Sequence, residues 1–360
     1  MSLRKGLALF LFLTLGVSAL IIFTSIDRQA LWTFMHIEKI KLLYIFLVVF
    51  VAWSCDASRF CLTARAMGYR IRFRHGLALT WLHYFGCALT PMQVGGGPFQ
   101  VYVLYRSGVP VGSGIAITLV RTLFSTFLLS LAAPAAFFLV PQLHHGGMLV
   151  RGVFYYVGTL SIVMWTAFIL SIVRADWIKK FCGWGLLRLK RWKWFRKLSV
   201  KKVYRTVCSE IDSYSKNVKR MVGPGLPYFI GAFLLSICHL MALFSVLPLL
   251  MRAVHLHPRY FDALLAQGMF TFILYFIPTP GASGVAEGGG AAIFSLLMPG
   301  NMAGVMTVLW RFFTEYLAIF MGCLVAIRMI GWENADRILS GSQDEVIKET
   351  SSGKGTRKRR

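Results

Sequence analysis

The sequence predicts an all-α fold: a polytopic membrane protein of about six transmembrane helices plus two re-entrant hairpins, arranged as an inverted repeat. Three observations predict it. The chain is 57% hydrophobic and only 15% charged over 360 residues, where soluble domains carry roughly 25% charged residues. Its apolar residues fall into long runs separated by basic stretches. Two of those runs are broken near their middle by proline and glycine.

The first run, 7–26, follows Arg4 and Lys5 and is about 20 residues long, longer than a secretory h-region, with no small-residue cleavage site after it. It reads as a first transmembrane helix with its N-terminus inside. The second span is expected at 42–59, and Arg65, Arg70, Arg72 and Arg74 after it mark a cytoplasmic loop. Four more full spans are expected at 114–140, 153–173, 225–251 and 301–330.

The stretches 75–105 and 260–299 behave differently. In the first, about 14 apolar residues stop at Thr90-Pro91, and Gln93-Val94-Gly95-Gly96-Gly97-Pro98 follows. In the second, the apolar segment stops at Pro278-Thr279-Pro280, followed by Gly281-Ala282-Ser283-Gly284. A spanning helix needs about 20 residues, and proline removes a backbone donor and clashes with the preceding turn. Non-helical backbone survives at membrane depth only when buried in protein or lining a wet cavity. Counting spans makes 75–105 start and end inside, and 260–299 start and end outside. With that topology 31 of the 39 Lys and Arg lie on the cytoplasmic side, six outside and two within the membrane. Both termini are then cytoplasmic.

The two halves, about 1–140 and 152–330, each contain two spans, a broken hairpin and a long span, in opposite orientation. Thr90-Pro91 echoes Thr279-Pro280, and Arg121 lies 30 residues after Pro91 as Arg311 lies 31 after Pro280. Inverted repeats with broken helices near the midplane characterise transporters that alternate access around a central site. Residues 1–330 form one transmembrane domain; 331–360 read as a basic, disordered cytoplasmic tail.

The charge excess of +25 could suggest nucleic acid, but its placement argues against it. Residues 174–222 hold 15 Lys and Arg against three acids, between two apolar stretches, and interleave them with Trp177, Trp184, Trp192 and Trp194. That suits either a plain positive-inside loop or a segment lying on an anionic leaflet. Seven scattered cysteines without a CxxC pair argue against a disulfide framework or a zinc site. His144-His145 and His255-Leu256-His257 have no acidic companions, so no metal is expected; nor is any cofactor, since P-loop, dinucleotide and GxSxG patterns are all missing. His83 and His239 read as polar packing.

The string Pro278-Thr279-Pro280-Gly281-Ala282-Ser283-Gly284-Val285-Ala286-Glu287 resembles the signature of the lysylphosphatidylglycerol synthase transmembrane family, and Thr90-Pro91-Met92-Gln93-Val94-Gly95-Gly96-Gly97-Pro98 is similar to its partner motif. That family includes flippase-like domains, among them the membrane half of multiple peptide resistance factors. The resemblance implies a bacterial or archaeal inner membrane and movement of a lipid between leaflets.

Arg121 and Arg311 sit inside apolar helices, where a charge costs roughly 2.5–3.5 kcal/mol and needs a partner or a polar cavity. Either they bind a lipid phosphate, which guanidinium matches bidentately, or they form structural ion pairs. Glu287, Glu315 and Asp56 are the candidate acids, with Glu315 one helical turn after Arg311. Gln93, Gly95, Gly96, Thr279, Pro280, Gly281, Ser283 and Gly284 complete the expected substrate site; the glycine turns 95–97 and 281–284 either let half-helix amides approach a phosphate or merely permit a tight hairpin. Three functions are consistent with this pattern. The first is a flippase or lipid carrier for a phospholipid, an aminoacyl-phospholipid or a polyprenyl phosphate. The second is a phosphatidylglycerol lysyltransferase, or its membrane half acting with a separate synthase. The third is a non-transporting scaffold. Expected partners are the lipid itself, an anionic membrane surface at 174–222, and a second copy or a lipid-modifying enzyme.

Overall fold

A computed structural model describes residues 36–140 and 223–331, with isolated positions at 12, 16 and between 152 and 166. Apart from those isolated positions, the expected spans 7–26 and 153–173 lie outside the described residues, as do the basic loop 174–222 and nearly all of the tail 331–360. What is described is helical throughout. Four helices are long and apolar enough to cross a membrane: Lys39–Ala66, Val111–Ala136, Leu226–Ala253 and Gly300–Met329. They coincide with the four expected spans in this part of the chain.

Helix α1 is Lys39–Ala66. It ends where Gly68 takes a left-handed conformation, φ 88°, and Tyr69 N–H returns to Ala64 O. The helix therefore runs two turns past the expected end at Arg59. That corrects the charge count, because Arg59 is wholly buried in the bundle rather than at a cytoplasmic edge. One face of α1 presents Leu43, Leu47 and Phe50 outward; the opposite face buries Val49, Asp56, Arg59 and Phe60. A helix with its polar side inward and its apolar side outward suits lipid as the solvent.

Helices α2, Phe73–Leu89, and α3, Gly96–Arg106, fold back on each other. Gln100 Nε2 donates to Leu79 O (3.1 Å) and Cys87 Sγ to Gln93 O (2.9 Å), a pairing that only an antiparallel hairpin produces. At about 26 and 17 Å, neither limb reaches the length of a span. Between them lies a short 3₁₀ turn, Pro91–Gln93, with Met92 and Gln93 at φ 54° and 55°. Thr90 ties the turn: its Oγ1 donates to Gly86 O (3.0 Å) and accepts from Gly95 N–H (2.7 Å). Glycine is required at Gly86 and Gly95 because their backbones touch; a Cβ on either would lie 2.5 Å from the other's carbonyl oxygen.

Helix α4, Val111–Leu139, is followed, beyond the intervening residues, by α5, Leu226–Phe244, and α6, Val246–Ala253, which continue as one kinked rod. Pro248 provides no amide for Phe244 O. Gln267, with its amide nitrogen turned toward Phe244, supplies the missing donor (3.1 Å) and accepts from Trp310 Nε1 (2.9 Å). Gln267 belongs to α7, Tyr260–Leu274, the first limb of the second broken element; α8, Val285–Phe294, is the second limb. Their connection contains a 3₁₀ turn, Pro280–Ala282, with Gly281 and Ala282 at φ 59° and 53°. The two tips thus repeat the same backbone: Thr-Pro, then two residues with positive φ, and a threonine hydroxyl bonded across the turn (Thr279 Oγ1 to Ser283 O, 3.0 Å). The final rod is α9, Gly300–Arg311, a π-helical turn over Phe312–Tyr316, and α10, Leu317–Met329.

The tips meet where Met92 N–H donates to Ile277 O (3.2 Å); the second tip is buried at Pro280–Ala282, while Pro91, Met92 and Val94 of the first are exposed. Helix α10 lies against α2, with Gly322 so close to the Trp81 carbonyl that no Cβ would fit. The last helix is thereby locked onto the first hairpin.

Candidate functional site

Two buried charge clusters flank the meeting point of the tips. The first is built from α1, α2, α4 and α5. Asp56 and Arg59, three residues apart on the inner face of α1, are bonded to each other. Arg121 on α4 reaches across to Asp56 with two parallel hydrogen bonds, Nε to Oδ1 (3.1 Å) and Nη2 to Oδ2 (3.0 Å). Thr80 on α2 donates to Oδ2 as well (2.8 Å). Arg59 Nη1 is held by the hydroxyls of Ser125 (2.9 Å) and Ser236 (3.1 Å). Arg121 also lies over the Phe60 ring, 5.2 Å from its centroid, a cation–π contact. Its Nη1 has no acceptor among the described residues.

The second cluster joins α8 to the final rod. Glu287 Oε2 accepts from Gly284 N–H (2.7 Å), capping the start of α8. Its Oε1 accepts from Tyr316 Oη (2.9 Å) and lies 3.4 Å from Arg311 Nε. Arg311 Nη1 is 3.0 Å from Glu315 Oε2, and Nη2 donates to Gly281 O (3.2 Å). The π-helical turn begins immediately after Arg311, and such turns occur often at functional sites.

The clusters have opposite formal charge. Asp56 with Arg59 and Arg121 sums to +1; Glu287 and Glu315 with Arg311 sums to −1. Breaking such a buried pair by removing one partner costs about 3–5 kcal/mol, so each cluster holds its helices in place as well as its charge.

A cavity of about 70 Å³ lies between them, lined by Arg121, His83, Gln93, His239, Gln267 and Glu315, with Gly281 from the second tip. Of the expected site residues, Arg121, Gln93, Gly281 and Glu315 come together at this wall. Arg311 and Glu287 stand behind it, wholly buried, and act on it through Glu315 and Gly281. Thr279, Pro280, Ser283 and Gly284 shape the second tip. Gly95 and Gly96 pack against Gly86 and His83 of α2, so their lack of side chains serves helix contact. Sequence reasoning underweighted Asp56 and Arg59, although an Asp-x-x-Arg pair inside an apolar span was a readable signal. Gln267 and the two histidines had no such signal: the first answers a proline in another helix, and the histidines face the cavity only because α2 and α5 converge there with α4, α7, the two tips and the final rod.

The arrangement defines a class: an all-α, multi-pass membrane protein whose broken helices meet around a small charged hollow. Within that class, residues 6–322 match the profile described as the lysylphosphatidylglycerol synthase TM region, and the chain belongs to that family. It is also similar to a UPF0104 membrane protein of Archaeoglobus fulgidus, with 26% identity over 305 residues, covering 84% of this chain and 91% of the relative.

Proposed function

We propose that this protein moves a phospholipid headgroup between the leaflets of an inner membrane, and that the transported headgroup carries both a phosphate and an amine. The observation that carries this reading is the cavity wall itself: Arg121, from the cluster of net charge +1, and Glu315, from the cluster of net charge −1, line the same hollow. A guanidinium nitrogen suits a phosphate oxygen, and a carboxylate suits an ammonium. An aminoacyl- or ethanolamine-type phospholipid satisfies both poles; a polyprenyl phosphate satisfies only the first. The fatty tails stay in the bilayer while the headgroup crosses.

The matching backbone of the tips, with Thr90-Pro91 against Thr279-Pro280, supports two inverted halves that rock against each other and part at the Met92–Ile277 contact. The tips are then re-entrant hairpins entered from opposite faces, with both termini cytoplasmic. The cavity is smaller than a headgroup, so this is an occluded form that opens to either side by separation of the tips. The sequence carries no nucleotide-hydrolysis motif, which leaves an ion gradient or the lipid's own gradient as the drive.

Proteoliposomes with tail-labelled phosphatidylethanolamine and phosphatidylglycerol, read by quenching of the outer leaflet, test the proposal. Faster translocation of phosphatidylethanolamine is expected, and Glu315→Gln should erase that preference while Arg121→Ala abolishes transport of both. Rates equal to those of protein-free vesicles for every lipid would sink it. A lysyltransferase reading draws on the family description, and lysine transfer from charged tRNA to phosphatidylglycerol by the purified chain would favour it instead.

A further inference from the structure

Away from the central cavity, a groove of about 420 Å³ opens on the flank of the bundle between the start of α2 and the end of α10. Its size falls within the ~300–1,000 Å³ typical of small-ligand clefts. The mouth carries Arg72, Arg74, His75 and Arg328; Trp81 and Leu324 form part of the apolar floor. The geometry follows from Gly322. Its contact with the Trp81 carbonyl clamps α2 to α10, and the basic mouth lies about 10 Å along the helices from that clamp. At the same end, Arg106 Nη1 donates to Met329 O (2.5 Å), so the end of α3 supports the end of α10.

The charge at this mouth is unbalanced. Arg72, Arg74 and Arg328 are exposed and enter no ion pair among the described residues. The described acids, Glu38, Asp56, Asp262, Glu287 and Glu315, all lie outside its lining. Each cation also sits at the end of an apolar helix, Arg72 and Arg74 at the start of α2 and Arg328 in the last turn of α10, the position at which long basic side chains of membrane proteins reach the interface.

From this charge and shape we infer that the groove is a binding site for an anionic phospholipid, distinct from the central cavity. The lipid's phosphate sits among Arg72, Arg74 and Arg328, and one acyl chain lies along Trp81 and Leu324. Basic pockets between helices at a membrane face recognise such headgroups, and guanidinium is the side chain that matches phosphate geometry. A free phosphate would leave the apolar floor uncovered. A second copy docking here through the same face would set arginine against arginine.

Native mass spectrometry of the full chain, in detergent with equimolar dioleoyl-phosphatidylglycerol and dioleoyl-phosphatidylcholine, tests the inference. Preferential retention of phosphatidylglycerol is expected. The triple variant Arg72→Gln/Arg74→Gln/Arg328→Gln should lower that retention at least about tenfold, since each arginine near an anionic headgroup contributes about fivefold. Leu324→Trp, which fills the floor but keeps the charges, should lower retention of both lipids. If the triple variant does not fold, Arg328→Gln alone should lose several-fold; retention equal to wild type refutes the site. Two further results also refute it: no preference in the wild-type protein, or loss of phosphatidylglycerol in Arg121→Ala but not in the groove variants. The last would assign the lipid to the central cavity. A dimer that disappears in Leu324→Trp without any bound lipid would make the groove a subunit contact and end the proposal.

Discussion

Arg121 and Asp56, 65 residues apart in the chain, are joined by two parallel hydrogen bonds of 3.1 and 3.0 Å in the interior of the bundle. The same carboxylate holds Arg59 and accepts from Thr80, so one anion organises two cations and ties α1, α2 and α4 together. Asp56→Asn leaves both guanidinium groups short of an anion. A loss of about 3–5 kcal/mol is expected, read as a lower melting temperature in detergent and a smaller monodisperse fraction. A variant as stable as wild type would mean that the two arginines find other acceptors.

Arg121→Lys keeps the charge but loses the planar fork. The protein should still fold, because Asp56 retains Arg59, while lipid translocation falls well below wild type. Equal transport would assign Arg121 a charge-balancing role only.

The glycines of the helix contacts separate into required and free positions. Gly86→Ala and Gly322→Ala each push a methyl into a neighbouring backbone and should destabilise by about 1–3 kcal/mol. Gly97→Ala meets only Thr118 Cγ2 at 3.8 Å and should be neutral or slightly stabilising. Chemical denaturation of the three variants side by side checks the contrast; a Gly97→Ala loss equal to that of Gly86→Ala would contradict it.

Thr90→Val keeps the shape and removes the hydroxyl that bonds both Gly86 O and Gly95 N–H. A cost of about 1–3 kcal/mol is expected, with Thr90→Ser recovering most of it. Failure of serine to rescue would show that the methyl, and not the hydroxyl, matters.

In a cysteine-free background, Met92→Cys/Ile277→Cys places two thiols where the tips share a backbone hydrogen bond. Oxidation should cross-link them in high yield and stop translocation, and reduction should restore it. Full transport by the cross-linked protein would mean that the tips do not part during the cycle.

Much of this protein is legible along the chain because lipid imposes simple demands. A span needs about 20 apolar residues, and a break needs proline or glycine, so the four spans over the described residues and the two interruptions at Thr90-Pro91 and Thr279-Pro280 follow from local composition. The candidacy of Arg121, Arg311, Glu287 and Glu315 follows from the cost of charge in an apolar helix. Tertiary structure alone decided how those charges are apportioned. Glu315 is one turn from Arg311 and their pairing is local, but Arg121 takes its acid from another helix, and Arg59 is accommodated inside α1 because Asp56 on the same helix, Ser125 on α4 and Ser236 on α5 satisfy it. The opposite net charges of the two clusters, and the hollow that both reach, arise where distant helices converge, and hydropathy along one chain carries no record of which buried groups will face each other.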